Sequence, residues 1–162
     1  MYKKIMVPLD GSELAECVLP HVKSIVKGCN IPDVLFVRVV EPASLPAGAV
    51  TDFGAVYTDN DAAKDRINID NYNKDEAKKY LEGLLSRQQY DNANERSIVL
   101  FGKAAESLAE YAEKNDVDLI VIATHGRSGI SRWMWGSTAD KILRSACVPV
   151  MMVRAPGCVP GI

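Results

Sequence analysis

The chain has 162 residues, 48% of them hydrophobic and 25% charged, which is enough apolar length for one packed domain. Its net charge of −2 lacks the basic excess of a general nucleic-acid binder, and no apolar run reaches the roughly 18 residues of a membrane-crossing helix. Residues Met1 to Asp10 carry too short an apolar stretch for a secretion signal and include an acid, so a cytoplasmic protein without nucleic-acid or membrane partners is expected.

Lys4-Ile-Met-Val-Pro-Leu9 reads as a short apolar strand. Asp10-Gly-Ser-Glu13 follows as a helix start, with a cap candidate at Asp10 and a glutamate three residues on. Leu14, Ala15, Val18, Leu19, Val22, Ile25 and Val26 recur at helical spacing through Lys27, and Gly28 is the expected stop. Val34-Leu-Phe-Val-Arg-Val-Val40 is a β-branched run of the kind found in interior parallel strands. Residues 41 to about 60 form a long loop, in which Phe53 and Tyr57 could cover a pocket. A polar helix is expected from about 62 to 88, with Ala77, Tyr80, Leu81, Leu84 and Leu85 inward. Arg96–Phe101 is a third strand, and Ala104–Lys114 a helix with Ala105, Leu108, Ala109 and Ala112 inward. Asp116 and Asp118 flank a turn and need no special role. Val117–Ala123 is a fourth strand, Ser137–Ser145 a helix and Val148–Val153 a fifth strand. The remainder, 155–162, holds too much Pro and Gly to extend it and reads as a flexible tail.

Strict alternation of strand and helix predicts an α/β domain: an open, five-stranded parallel sheet with right-handed crossovers and helices on both faces. Such sheets bind ligands beyond the carboxyl ends of the strands, where the winding direction reverses. The first and fourth strands, ending near Asp10 and Ala123, are the pair expected to flank that crevice.

The most informative tract is Ala123-Thr-His-Gly126-Arg-Ser-Gly129-Ile-Ser-Arg-Trp-Met-Trp-Gly136-Ser137-Thr138. Glycines let backbone N–H groups approach an anion, and the helix start at Ser137 adds unpaired donors and the positive end of a dipole. Together they predict a phosphate cradle. Arg127, Arg132, Lys141 and Arg144 stand there against the single acid Asp140. Ser137 can cap its helix or bond a phosphate. Trp133 and Trp135 fit packing under the cradle, or a subunit contact, better than stacking on a base. His125 has no nucleophile or carboxylate in sequence reach, so no catalytic residue is read. The cysteines, at 17, 29, 147 and 158, show no CxxC spacing, which favours buried or idle thiols over a zinc site or redox pair.

These residues resemble the universal stress protein family over nearly all of 1–154. The resemblance rests on Lys4-Ile-Met-Val-Pro-Leu-Asp10-Gly-Ser12, Ala123-Thr-His-Gly126-Arg-Ser-Gly129, Gly136-Ser137-Thr138-Ala-Asp140 and Val148-Pro-Val-Met-Met-Val-Arg154. It is to the ATP-binding branch, whose pattern is Gly, two residues, Gly, nine residues, then Gly-Ser or Gly-Thr. Here Gly126, nine residues and Gly136-Ser137 fit, while Ala123 replaces the first glycine. We read that position as needing a small residue rather than a left-handed backbone, because a strand end normally sits at φ < 0.

The resemblance implies a Rossmann-like fold of the adenine nucleotide alpha hydrolase type, with strand order 3-2-1-4-5, in one domain spanning 1–154. It implies an ATP site, with or without Mg2+. Pro8, Leu9 and Asp10 would lie on the base and ribose side, and Val39 at the adenine edge. Ala123, His125 and Gly126 would approach ribose and phosphates, in the tract that also holds Arg127 and Gly129. Gly136, Ser137 and Thr138 would close on the phosphates. It further implies a homodimer through the last strand, Val148–Val153, a protein partner of unknown identity, and a regulatory stress-response role with slow ATP hydrolysis at most. The alternatives are a hydrolysing or adenylating enzyme on the same fold, or a ligand-free dimeric interaction protein. Against the first, neither HxGH nor a Ser-Gly-Gly-x-Asp-Ser loop occurs, nor do GxxxxGK[ST] or GxGxxG. Ala123 is the one feature favouring the second.

Overall fold

A computed structural model describes residues 2–44, 59–90, 93–124 and 137–154, with the side chains of 59–61 left out. In chain order the elements are β1 (Lys4–Pro8), α1 (Glu13–Glu16), α2 (Leu19–Cys29), β2 (Asp33–Val40), α3 (Asp59–Arg87), β3 (Asn94–Phe101), α4 (Ala104–Lys114), β4 (Leu119–Ala123), α5 (Ser137–Ser145) and β5 (Val150–Val153). All four strand pairings are parallel, and the order is β3-β2-β1-β4-β5. The chain winds outward from β1 to β3, returns to β4, and winds the other way to β5.

Alternate residues of each strand feed two separate core layers. Ile5, Val7, Val34, Phe36 and Val121 pack with Val22 and Val26 of α2 and Leu81 and Leu84 of α3. Met6, Leu35, Val37 and Ile120 face the other way, onto Leu108 and Ala112 of α4 and Ile142 of α5. Burial on both faces is why the inner strands β1, β2 and β4 read as near-continuous apolar runs rather than alternating ones. Each fully buried aliphatic or aromatic side chain contributes about 1.5–3 kcal/mol.

The first helix differs from expectation. One helix was predicted from Asp10 through Lys27; the chain makes α1 and α2, joined through Cys17 and Val18. Pro20 explains the break, since it has no N–H to give the carbonyl of Glu16. The cap is Ser12, not Asp10: its Oγ accepts from the Ala15 N–H at 3.2 Å. Nor does Gly28 end α2. Asn30 does, in the left-handed region (φ 49°) and donating its N–H to the Val26 carbonyl, a conformation its short polar side chain tolerates.

Other edges shift by a few residues. β3 starts at Asn94 rather than Arg96. β4 starts at Leu119 rather than Val117, because Asp116 takes a left-handed turn (φ 51°) and the Val117 N–H closes back on Ala112. β5 starts at Val150, after a proline with no N–H for a ladder. In α4, Ala105, Leu108 and Ala112 are buried and Ala109 half-buried. α3 begins at Asp59 and ends at Arg87. At 1.5 Å per residue its length is about 43 Å, against about 26 Å for an eight-residue strand such as β2. Tyr80 lies beside Arg38 near the carboxyl end of β2, so the N-terminal half of α3 stands beyond the sheet on its carboxyl side. Among the described residues no helix is long and apolar enough to cross a membrane. The tail 155–162 lies outside them.

Candidate functional site

The sheet opens at the point where its winding reverses. β1 pairs with β2 from Lys4–Asp33 through Pro8–Val37, and β4 pairs with β5 through Ala123–Val153. Between β1 and β4, however, the register covers only Ile5–Leu119 and Met6–Ile120. Pro8 accounts for this. The Leu9 N–H donates to the Val37 carbonyl of β2 at 2.8 Å, and the Lys4 carbonyl accepts from Asp118 on the other side. Even-numbered residues of β1 therefore turn their backbone groups toward β4, and at residue 8 the donor is missing. The next rung cannot form, and the two strands part at their carboxyl ends.

Beyond the gap, Asp10, Gly11 and Ser12 make the β1–α1 turn. Asp10 Oδ1 accepts from both the Ser12 N–H (2.9 Å) and the Ser12 hydroxyl (2.6 Å). That pairing aims Ser12 at its helix and fixes the half-buried Asp10 carboxylate at the mouth. Gly11 has φ +89°, where only glycine is at ease.

A cavity of about 890 Å3 adjoins this turn. Asp10, Arg38, Val39 and Glu41 line it from the strand ends, and Glu76, Lys79 and Tyr80 from α3. The Arg38 guanidinium carbon lies 5.2 Å from the Tyr80 ring centroid. The Tyr80 hydroxyl in turn donates to Glu16 Oε1 at 2.9 Å, which also receives Arg87 at 3.5 Å. Burial, followed by the bond and the charge of Glu16, pushes the Tyr80 phenol far above its ordinary range. It stays a neutral donor at any physiological pH.

The structure brings Pro8, Leu9, Asp10, Val39, Ala123, Ser137 and Thr138 to the carboxyl side of the sheet. Their parts differ. Pro8 and Leu9 are buried, and the Leu9 side chain belongs to the first core layer, so Leu9 offers the mouth only backbone. Val39 is half-buried against the second layer. Ala123 packs its methyl into the first layer, 7% exposed, and is not among the positive-φ residues, which besides glycine are Asn30 and Asp116 among the described residues. A methyl there is accommodated by core, with no left-handed strain. Ser137, exposed, and Thr138, half-buried, open α5, which Ala139 and Ile142 anchor below. His125, Gly126, Arg127, Gly129 and Gly136 lie outside the described residues, as do Arg132, Trp133, Trp135, Phe53 and Tyr57.

Sequence reasoning missed Arg38 and Tyr80. The signal for Arg38 was present: it is the one charge inside the apolar run of β2. Tyr80 carried none, since a tyrosine on an inner helical stripe reads as core. Among the described residues no three His, Cys, Asp or Glu side chains are grouped to hold a metal. Cys17 and Cys29 are half-buried and Cys147 exposed, none in a disulfide; burial raises the Cys17 thiol pKa.

A universal stress protein of Methanocaldococcus jannaschii is 25% identical over 156 residues, covering 95% of this chain and 96% of its own. The solved structure of that protein superposes with a TM-score of 0.78 at 24% identity, covering 97% of this chain and 99% of its own. An AMP-bound universal stress protein of Arabidopsis thaliana superposes at 0.61 with 16% identity, covering 96% and 93%. A universal stress protein in complex with cAMP does so at 0.54 with 18% identity, covering 95% and 98%. The model of the Universal stress protein family matches residues 1–154. With that match running through the split sheet and the α5 start alike, the chain belongs to the universal stress protein family.

Proposed function

We propose that this protein is a regulatory module that binds an adenine nucleotide, ATP with or without Mg2+, hydrolyses it slowly at most, and passes its state to a protein partner as a homodimer. The observation that carries this reading is the parting of β1 and β4 at Pro8, with Asp10 on one lip and Ala123 on the other. That is where an open parallel sheet takes its ligand. Support comes from the similar structures that hold AMP and cAMP.

On this reading Asp10 meets the ribose, Val39 the adenine edge, and Ser137 and Thr138 the phosphates. His125, Gly126, Arg127, Gly129 and Gly136 complete the cradle. A helix start contributes about 0.3–1 kcal/mol toward an exposed anion and up to roughly 2 when partly buried, whereas a micromolar ligand needs about 8. Base burial and the basic residues of the tract therefore supply most of the affinity.

Titration calorimetry with ATP, ADP and AMP tests the reading: heat of binding is expected from wild type, and its loss in Gly136→Val with the circular dichroism spectrum intact. Silence with all three nucleotides at millimolar concentration removes it. Turnover above about 1 per second, the low end of ordinary enzyme rates, assigns the site to an enzyme instead.

A further inference from the structure

The cavity runs from the β1–α1 turn across the carboxyl end of β2 to α3, and the resemblance assigns no residue of α3. We propose that Arg38 reads the ribose of the bound nucleotide as the partner of Asp10, making the protein selective for adenine nucleotides with a free ribose cis-diol. The inference rests on the nucleotide reading above and names a specificity residue for the same site.

Three observations carry it. Arg38 and Asp10 line one cavity, and the guanidinium sits against the turn that holds Asp10. A Cβ built on Gly11 would stand 3.0 Å from Arg38 Nη1, 3.1 Å from Cζ and 3.3 Å from Nη2. The approach depends on a glycine at a φ that glycine alone favours. Second, the guanidinium is held before any ligand arrives: Tyr80 lies against it, and Glu16 fixes Tyr80. A side chain ordered in advance loses less entropy on binding. Third, the charges around the cavity suit a neutral, hydroxyl-rich group better than another phosphate. Arg38 and Lys79 stand against Asp10, Glu41 and Glu76, and Lys79 already pairs with Glu76 at 3.0 Å.

The chemistry of a diol completes the case. Each ribose hydroxyl is both a donor and an acceptor. An ionised carboxylate can only accept, so Asp10 serves the hydroxyl hydrogens and leaves their oxygens to a donor beside it. A guanidinium edge supplies donors and no acceptor. The two side by side satisfy both halves of the diol, and a 2′-deoxy sugar leaves one of them unmatched.

The test is the ratio of AMP to 2′-dAMP affinity by calorimetry in wild type, Arg38→Met and Arg38→Lys. Wild type is expected to favour AMP about tenfold, the scale of one hydrogen bond to a charged group. Arg38→Met should bring the ratio close to one, and Arg38→Lys, which keeps a charge and a donor, should restore part of it. If Arg38→Met does not fold, a lowered ratio in Arg38→Lys carries the same expectation. Equal affinities in wild type, or an unchanged ratio in the folded variants, overturn the proposal while leaving nucleotide binding in place. Failure of every adenine nucleotide to bind overturns the functional reading itself, and this with it.

Discussion

Asp118 shows how a residue that the sequence leaves without a role acquires one from the fold. Its Oδ2 accepts the backbone N–H groups of Lys3 at 2.7 Å and Lys4 at 2.8 Å, tying the start of β1 to the start of β4 at the end opposite the mouth. The Lys3 bond, helped by the Lys4 bond and the Lys3 charge against a smaller desolvation cost, lowers the carboxyl pKa. The folded state therefore holds Asp118 ionised more tightly than the unfolded chain does. The resulting stability is complete above the unfolded carboxylate value of about 3.9 and is lost as pH falls through the lower folded one. In denaturant melts across pH 2–6, Asp118→Asn should be less stable than wild type at pH 6, with the difference narrowing toward pH 2. A constant difference would mean that the charge plays no part.

At the scale of elements, the two ends of β1 are governed differently, Asp118 closing one and Pro8 opening the other. Pro8→Val restores the missing donor and should extend the β1–β4 ladder. Nucleotide affinity is expected to fall at least severalfold, roughly 1 kcal/mol or more, while the melting temperature stays level or rises. Equal affinity for both proteins would show that the opening does not depend on Pro8. The order and type of these elements were legible because burial on both faces leaves an apolar signature in the inner strands β1, β2 and β4. Boundaries were less so. Pro20 splits α1 from α2 through a hydrogen bond it cannot make, and Asn30 displaces Gly28 as the stop; both residues were visible, but their effect depends on backbone geometry. The Asn- and Asp-rich start of α3 reads as a poor helix, yet Asp70 in that half accepts the Ala43 N–H at 2.8 Å, and such tertiary contacts override propensity.

For the whole molecule, the strand-end residues Asp10, Val39 and Ala123 could be named from sequence because topology alone carries them to one side. The approach of Arg38 to Tyr80 could not, for it joins a strand to a helix through a packing angle that no local pattern encodes. β5 lies at one margin of the sheet, with Met151 of that strand 36% exposed. Among the described residues its outer edge has no partner strand; such an apolar edge invites a second copy, and the proposed dimer uses it. Light scattering at micromolar concentration should return twice the chain mass, and Met151→Lys should halve it. A monomeric wild type would discard the dimer.

Pro8 lacks the main-chain hydrogen that the next rung between β1 and β4 would need, and no neighbouring side chain can supply it. Substitutions nearby that keep Pro8 are therefore expected to leave that rung unmade, whatever their size or polarity.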